Sequence, residues 1–384
     1  MAGVANSTGP SGSTGSARLD GKPKVDSFHN RDGLTLKTYA WQVKNPIGVI
    51  FLVHGMNSHL RLDYMRHNVE IVSPEKAILK DADNYYVYKN SWVEQLNKSG
   101  YSVYGLDLQG HGQSDGWRNL KTNMKKFDDL VYDLLQYINR VHDVICLTGR
   151  KDAKGGDAGK SGSAVASPAS PTPAAGAASP SRSIHSNLKN AKTPPFYLMG
   201  LSMGGNIVLR VLEILGKSKT HSEKLNIRGC ICLAGMISID ELASRASYKF
   251  LFIPFSKFFA TVFPSLRLTP SLYFKKYPYV NQIYSYDRNR NKKSITCKMG
   301  YELLNAIENL NNDMQHIPKD IPILFVHSRH DGTCFFGGVE TFFKKINTDV
   351  KELHVLDDMD HVLTMEPGNE RVLQKVLAWL AARG

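Results

Sequence analysis

The hexapeptide Gly200-Leu201-Ser202-Met203-Gly204-Gly205 constrains this chain more than any other feature. A G-x-S-x-G sequence asks for a strand-to-helix turn so tight that its central serine adopts strained backbone angles. Glycines two residues before and two after it remove the Cβ atoms that such a turn would crush. The same letters also occur in ordinary glycine-rich turns, but there no strand leads in and no amphipathic helix leads out. Here the apolar run 196–199 (FYLM) comes first. Ile207, Val208, Val211, Leu212 and Leu215 then fall on one helical face. The expected outcome is a Ser202 hydroxyl exposed at the carboxyl edge of a sheet, above the start of a helix.

Strand and helix patterns alternate along the rest of the chain. Residues 47–53 (IGVIFLV), 101–107, 230–233, 321–326 and 353–356 are short apolar runs of the kind buried on both faces of a sheet. Between 124 and 138, Met124, Phe127, Leu130, Val131, Leu134, Leu135 and Ile138 make one helical stripe, and residues 372–380 make another. Strands separated by helices predict an α/β fold with a mostly parallel central sheet and helices on both faces. Residues 237–318 break this rhythm. They are helical, aromatic and basic, and read as a helical cap inserted between two core strands. Two stretches have the composition of disordered chain: a Gly/Ser/Pro-rich tail over 1–28 and a low-complexity insertion over 151–193. The catalytic domain is expected from 29 to 384, interrupted by the insertion and the cap.

The formal charge of +13 raises nucleic acid as a partner, so its distribution matters. Eleven Lys and Arg against Glu241 and Asp287 put +9 in residues 241–300, and residues 151–193 add +4. The excess is therefore confined to the cap and the insertion. Phe250, Phe252, Phe255, Phe258, Phe259 and Phe263 crowd the same cap. Rings interleaved with cations suit a packed cap helix with a solvated face, or contact with an anionic membrane surface. No nucleic-acid motif accompanies them, so no nucleic-acid partner is expected. No run approaches the ~18 apolar residues of a membrane span, and the first 24 residues contain no apolar signal core. Ala2 stands where myristoylation needs glycine. The five scattered cysteines suggest a reducing compartment rather than a disulfide framework. A cytoplasmic protein, with peripheral membrane contact through the cap, is the expectation.

A nucleophilic serine needs a base, and the base an orienting carboxylate, which this fold supplies in the order Ser, Asp or Glu, His. Asp331 lies in the loop after the run ILFVH, and His361 in the loop after LHVL. Successive loops on one sheet edge can converge, so Ser202, Asp331 and His361 are the candidate triad. His327 and His330 flank Asp331 but precede the loop where a base belongs. Asp360 adjoins His361 and is poorly placed to face its Nδ1, while Asp357 and Asp358 are alternative partners. For the oxyanion, two backbone N–H donors are required. Met203 follows the nucleophile, and Met56 lies in the His54-Gly55-Met56 turn after the first long core strand. The loop 110–116 (GHGQSDG) lacks the lysine of a phosphate cradle and reads as structural, with His111 a scaffold histidine.

Together HGMNSH, GLDLQGHGQSDG, FYLMGLSMGG, SRHDG and DHVLTMEP resemble the monoacylglycerol lipase and lysophospholipase branch of the α/β-hydrolase superfamily. They are most similar in flavour to malaria-parasite lysophospholipase-like proteins. The resemblance runs from about residue 31 to the C-terminus, outside the insertion. It implies a Ser202 nucleophile, an Asp331 acid, a His361 base, Met56 and Met203 as oxyanion donors, no metal or cofactor, and a lipid ester of one acyl chain as substrate. Two departures stand out: Leu201 occupies a position that is often histidine in this branch, and the acid loop is rewritten around Asp331. The alternatives are a non-lipid esterase, thioesterase or peptidase on the same fold, or a non-catalytic lipid-binding protein.

Overall fold

The apolar runs form the middle of one eight-stranded sheet. The computed structural model of the chain describes residues 17–155, 193–218, 225–238, 253–268 and 272–383. Strands β1 (Lys24–His29), β2 (Thr35–Trp41) and β3 (Gly48–Val53) are followed by two short ribbons. In these, β4 (Arg66–His67) pairs with β7 (Tyr86–Val87), and β5 (Val69–Ser73) with β6 (Lys76–Leu79). Next come β8 (Tyr101–Leu106), β9 (Phe196–Leu201), β10 (Ile227–Leu233), β11 (Ile323–Ser328) and β12 (Lys351–Leu356). The described helices are α1 (Leu60–Tyr64), α2 (Trp92–Lys98), α3 (Phe127–Gly155), α4 (Met203–Lys217), α5 (Ile253–Val262), α6 (Tyr279–Tyr286), α7 (Cys297–Asp313), α8 (Phe336–Lys345) and α9 (Asn369–Ala381).

Strand order is β1-β2-β8-β3-β9-β10-β11-β12. Within this sheet only the β1–β2 and β2–β8 pairings are antiparallel; its other pairs are parallel. Side chains alternate strictly across the central strands. Val49, Phe51, Val53, Phe196, Leu198, Cys230 and Cys232 face a core closed by α3, α4, α7 and α8. Ile50, Leu52, Tyr197, Met199, Ile231 and Leu233 face a second core closed by α1, α2, α6 and α9. Burying a large aliphatic or aromatic side chain in this way is worth roughly 1.5–3 kcal/mol. Both sheet faces are thus sealed, leaving the strand ends as the places for a site.

One end is favoured by topology. After β3 the chain goes outward to β8, then returns past β3 to β9 and continues in the other direction. Such a reversal opens a crevice at the carboxyl ends of the two strands, here β3 and β9.

The structure shortens the tail expected over 1–28: residues 24–29 are strand β1, paired along its length with β2. Residues 1–16 lie outside the described residues, as do 156–192 of the insertion. Helix α3 ends at Gly155 and β9 begins at Phe196, so the insertion leaves and rejoins the domain at the amino edge of the sheet. The described part of the cap expected over 237–318 holds the helices α5, α6 and α7, joined by irregular segments over 263–268, 272–278 and 287–296; Phe250 and Phe252 lie outside the described residues. Helix α7 is more than a lid, since Met299, Leu303, Ala306 and Leu310 join the first core. Thr296 Oγ1 caps it by accepting the Met299 N–H at 3.1 Å. Among the described residues no helix is long and apolar enough to cross a membrane.

Candidate active site

Ser202 sits between β9 and α4 with φ 55° and ψ −117°, a conformation that L-residues rarely adopt. Its backbone is locked in place: the N–H donates to Leu233 O at 2.9 Å, and its carbonyl accepts from Gly205 and Met236 N–H at 2.9 and 3.0 Å. The flanking glycines are required by space. A Cβ on Gly200 would lie 2.1 Å from Gly204 O, and one on Gly204 only 2.3 Å from Val53 O. The elbow is therefore wedged directly against the end of β3.

That strand end carries the turn His54-Gly55-Met56. A Cβ on Gly55 would lie 3.3 Å from Ser202 Cβ, so the turn lies against the candidate nucleophile. Two side chains shape it from behind. His54 Nδ1–H donates to Gly55 O at 2.8 Å while its Nε2 accepts the Leu108 N–H at 3.0 Å. Burial holds this imidazole well below its ordinary pKa, hence neutral. Asp63 of α1 accepts the Gly55 N–H at 2.7 Å through Oδ2 and the Ser58 hydroxyl through Oδ1. Burial pushes its carboxyl up to about 6, against the pull of those donors. Among the described residues, neither the Met56 nor the Met203 N–H is taken by a protein acceptor. Both candidate oxyanion donors thus flank Ser202 with free N–H groups.

The acid and base loops follow β11 and β12, the outer strands on the same edge. His361 Nε2 lies 2.9 Å from Ser202 Oγ, and its Nδ1 lies 2.8 Å from Asp331 Oδ2. A carboxylate only accepts, so Nδ1 carries the proton and Nε2 is left to accept from the serine hydroxyl. Asp331 Oδ1 accepts the Thr333 and Cys334 N–H groups at 2.8 and 2.7 Å. Burial opposes its charge, but His361 and His327 hold its carboxyl well below the usual range. Burial also lowers the basicity of His361, and the adjacent Asp331 reverses this, so the imidazole is net raised. Ser202, His361 and Asp331 thus form one continuous hydrogen-bonded chain.

The competitors fall elsewhere. Asp360 accepts the Gly332 N–H at 2.8 Å, stitching the base loop to the acid loop. Asp357 pairs with Arg329, and Asp358 with Arg371. His330 is exposed. His111 is buried, its Nδ1 3.0 Å from Gln109 O, as expected of a scaffold histidine. His327 has a role that the sequence reading missed: its Nε2–H donates to Cys334 O at 2.9 Å and lies 3.3 Å from Asp331 Oδ2. It is the residue before the acid loop on β11, and only the pleat of that strand turns it toward Asp331.

The cap is fastened to both sides of this site. Phe274 stacks parallel to the His361 ring at 6.2 Å, and Lys276 Nζ donates to Met359 O at 3.2 Å. On the other side Arg290 Nε donates to Asn57 O at 3.0 Å, next to Met56. Asp287, fully buried, takes His59 Nε2 at 3.0 Å and Tyr86 Oη at 2.6 Å on one oxygen. Its other oxygen accepts the Asn289 and Arg290 N–H groups at 2.7 and 2.9 Å.

A family profile described as serine aminopeptidase, S33, matches residues 82–144 and 182–368, more than half of the chain. The chain belongs to that family. Its members are α/β hydrolases, and the parallel sheet with its covering helices is that fold. The unmatched residues between the two S33 segments fall largely on the low-complexity insertion. Solved structures agree on the fold. A soluble variant of the monoglyceride lipase from Saccharomyces cerevisiae, in complex with a substrate analogue, superposes with a TM-score of 0.63 at 17% identity, covering 94% of this chain and 95% of that one. The Paleococcus ferrophilus monoacylglycerol lipase gives 0.59 at 17% identity, over 91% of this chain and 99% of that one. A thermostable carboxyl esterase from Bacillus coagulans, in complex with glycerol, gives 0.59 at 13% identity over 94% and 98%. Comparison with curated protein sequences returns no significant match.

Proposed function

We propose that this S33-family protein is a serine hydrolase that cleaves carboxylic esters of single-acyl-chain lipids, lysophospholipids or monoacylglycerols. The observation that carries this reading is the unbroken chain from Ser202 Oγ through His361 to Asp331 at the strained elbow. His361 takes the Ser202 proton as Oγ attacks the ester carbonyl, and Met56 and Met203 N–H groups hold the oxyanion. The protonated imidazole gives its proton to the leaving alcohol. Water, deprotonated by the same nitrogen, then releases the fatty acid and restores the serine. Asp331 keeps the imidazole in the required tautomer and stabilises its charge.

The family's description favours a second reading, cleavage of peptides at the amino end. Here two cations of the cap argue for the lipid ester. Lys276 and Arg290, which bond to the backbone of the base and oxyanion loops, are cations of the cap. Two cations disfavour the α-ammonium that an aminopeptidase must hold, and suit neutral or anionic head groups. The exposed rings of Phe255, Phe258 and Phe263 beside exposed Lys257 support contact with the membrane where such lipids reside. Assay of the full chain on monoacylglycerol, lysophosphatidylcholine, p-nitrophenyl butyrate and amino-acid p-nitroanilides separates the readings. Turnover of the lipids well above the anilides is expected; the reverse order would replace the lipase reading with the peptidase.

A further inference from the structure

The side chain that grips the base loop is one the acyl chemistry leaves unused. Glu366 is fully buried. Its Oε2 accepts the Asp360 N–H at 2.6 Å and its Oε1 the Val362 N–H at 2.6 Å. One carboxylate therefore holds the backbone on both sides of His361. The grip is extended by Asp360 on Gly332 N–H, and by Ser328 Oγ, which donates to Met359 O at 2.6 Å. A neutral amide at 366 would accept only one of the two N–H groups, since its nitrogen is a donor.

We propose that Glu366 is a positioning residue, which keeps His361 Nε2 aimed at Ser202 and sets how readily that imidazole takes a proton. The proposal rests on the reading of Ser202 and His361 as nucleophile and base. Asp331 touches His361, Asp360 and Glu366 lie in its own loop, and Asp63 acts on it from α1. From the cap, Tyr277, Tyr279 and Tyr284 lie near Glu366, with Tyr279 Oη–H on Met365 O at 2.9 Å and Lys276 on Met359 O. Burial pushes the Glu366 carboxyl up to about 7, while its two N–H donors pull it down. A negative charge here favours the protonated form of His361, so its removal makes the imidazole easier to deprotonate.

The test is the rate at which a fluorophosphonate labels Ser202, followed by intact mass from pH 5 to 9. Wild type is compared with Glu366→Gln and Glu366→Asp, each shown folded by its melting curve. Displacement of His361 is expected to lower the alkaline plateau about 10- to 100-fold in the glutamine variant. Its acid-side midpoint should also move to lower pH. Aspartate keeps the charge but is too short to reach both N–H groups. Its plateau should fall while its midpoint stays with wild type. A glutamine variant with the wild-type rate and midpoint overturns the proposal. So does a lowered plateau with an unmoved midpoint, which marks a mere structural prop, or an aspartate midpoint that shifts as far as the glutamine one. A wild type that takes no label removes the hydrolase reading itself, and this proposal with it.

Discussion

At the scale of single residues, the candidate site depends on one proton being on the correct nitrogen of His361. Asp331 enforces this by accepting only, from inside a shell of N–H donors. Asparagine at 331 can present its amide N–H to Nδ1, which favours the tautomer with the proton facing Ser202. Asp331→Asn is therefore expected to fold normally and lose about 10⁴-fold in kcat toward p-nitrophenyl butyrate. A loss under tenfold would show that another group orients the imidazole. Ser202, Asp331 and His361 were legible in the sequence because a motif or a strand-end loop marks each of them. His327, Asp63 and Glu366 were not, since each acts on backbone or carboxylate atoms four to eight residues away, at spacings that no motif marks. Asp63 holds the Gly55 N–H from α1, and no spacing rule connects those two positions.

The elements show the same division. Strands β3, β8, β9, β10 and β11 were legible because they are buried on both faces and read as apolar runs. The edge strand β1 hid inside a polar tail: five of its six residues are exposed, and pairing with β2 rather than its own composition makes it a strand. The cap's attachment was equally invisible, because it depends on Asp287 meeting His59 and Tyr86 from distant segments. Burial alone would raise the Asp287 carboxyl, but His59 and the other donors hold it well below its usual range, so it is a buried anion. Removing it in Asp287→Ala leaves His59 and Tyr86 without their acceptor. A destabilisation of about 3–5 kcal/mol is expected, read as a lower urea midpoint. An unchanged midpoint would mean that the cap is held by packing alone.

On the scale of the whole molecule, buried titratable groups set how stability varies with pH. Burial raises Asp133 and Glu366 to about 7 and Glu213 to about 8, and His361 is net raised by Asp331 beside it. Each binds a proton in the folded state that the unfolded chain has released. Their contribution is complete below the unfolded pKa and is lost as pH rises through the folded one. The buried His54, His67 and His111 are lowered by burial and act with the opposite sign, but their contribution is complete above ~6.5. Between about pH 6.5 and 8 only the first group still titrates, so the melting temperature should fall across that window. Asp133→Asn should flatten the fall, whereas a melting temperature that rises there would contradict these assignments.

Acylation of Ser202 is the step on which the proposed chemistry depends. Wild type and Ser202→Ala mixed with p-nitrophenyl butyrate, quenched in acid and examined by intact mass and peptide mapping, test it directly. The expected result is a single butyryl adduct on the peptide containing Ser202 in wild type and none in the variant. An adduct on another residue, or the same adduct in both proteins, would contradict it.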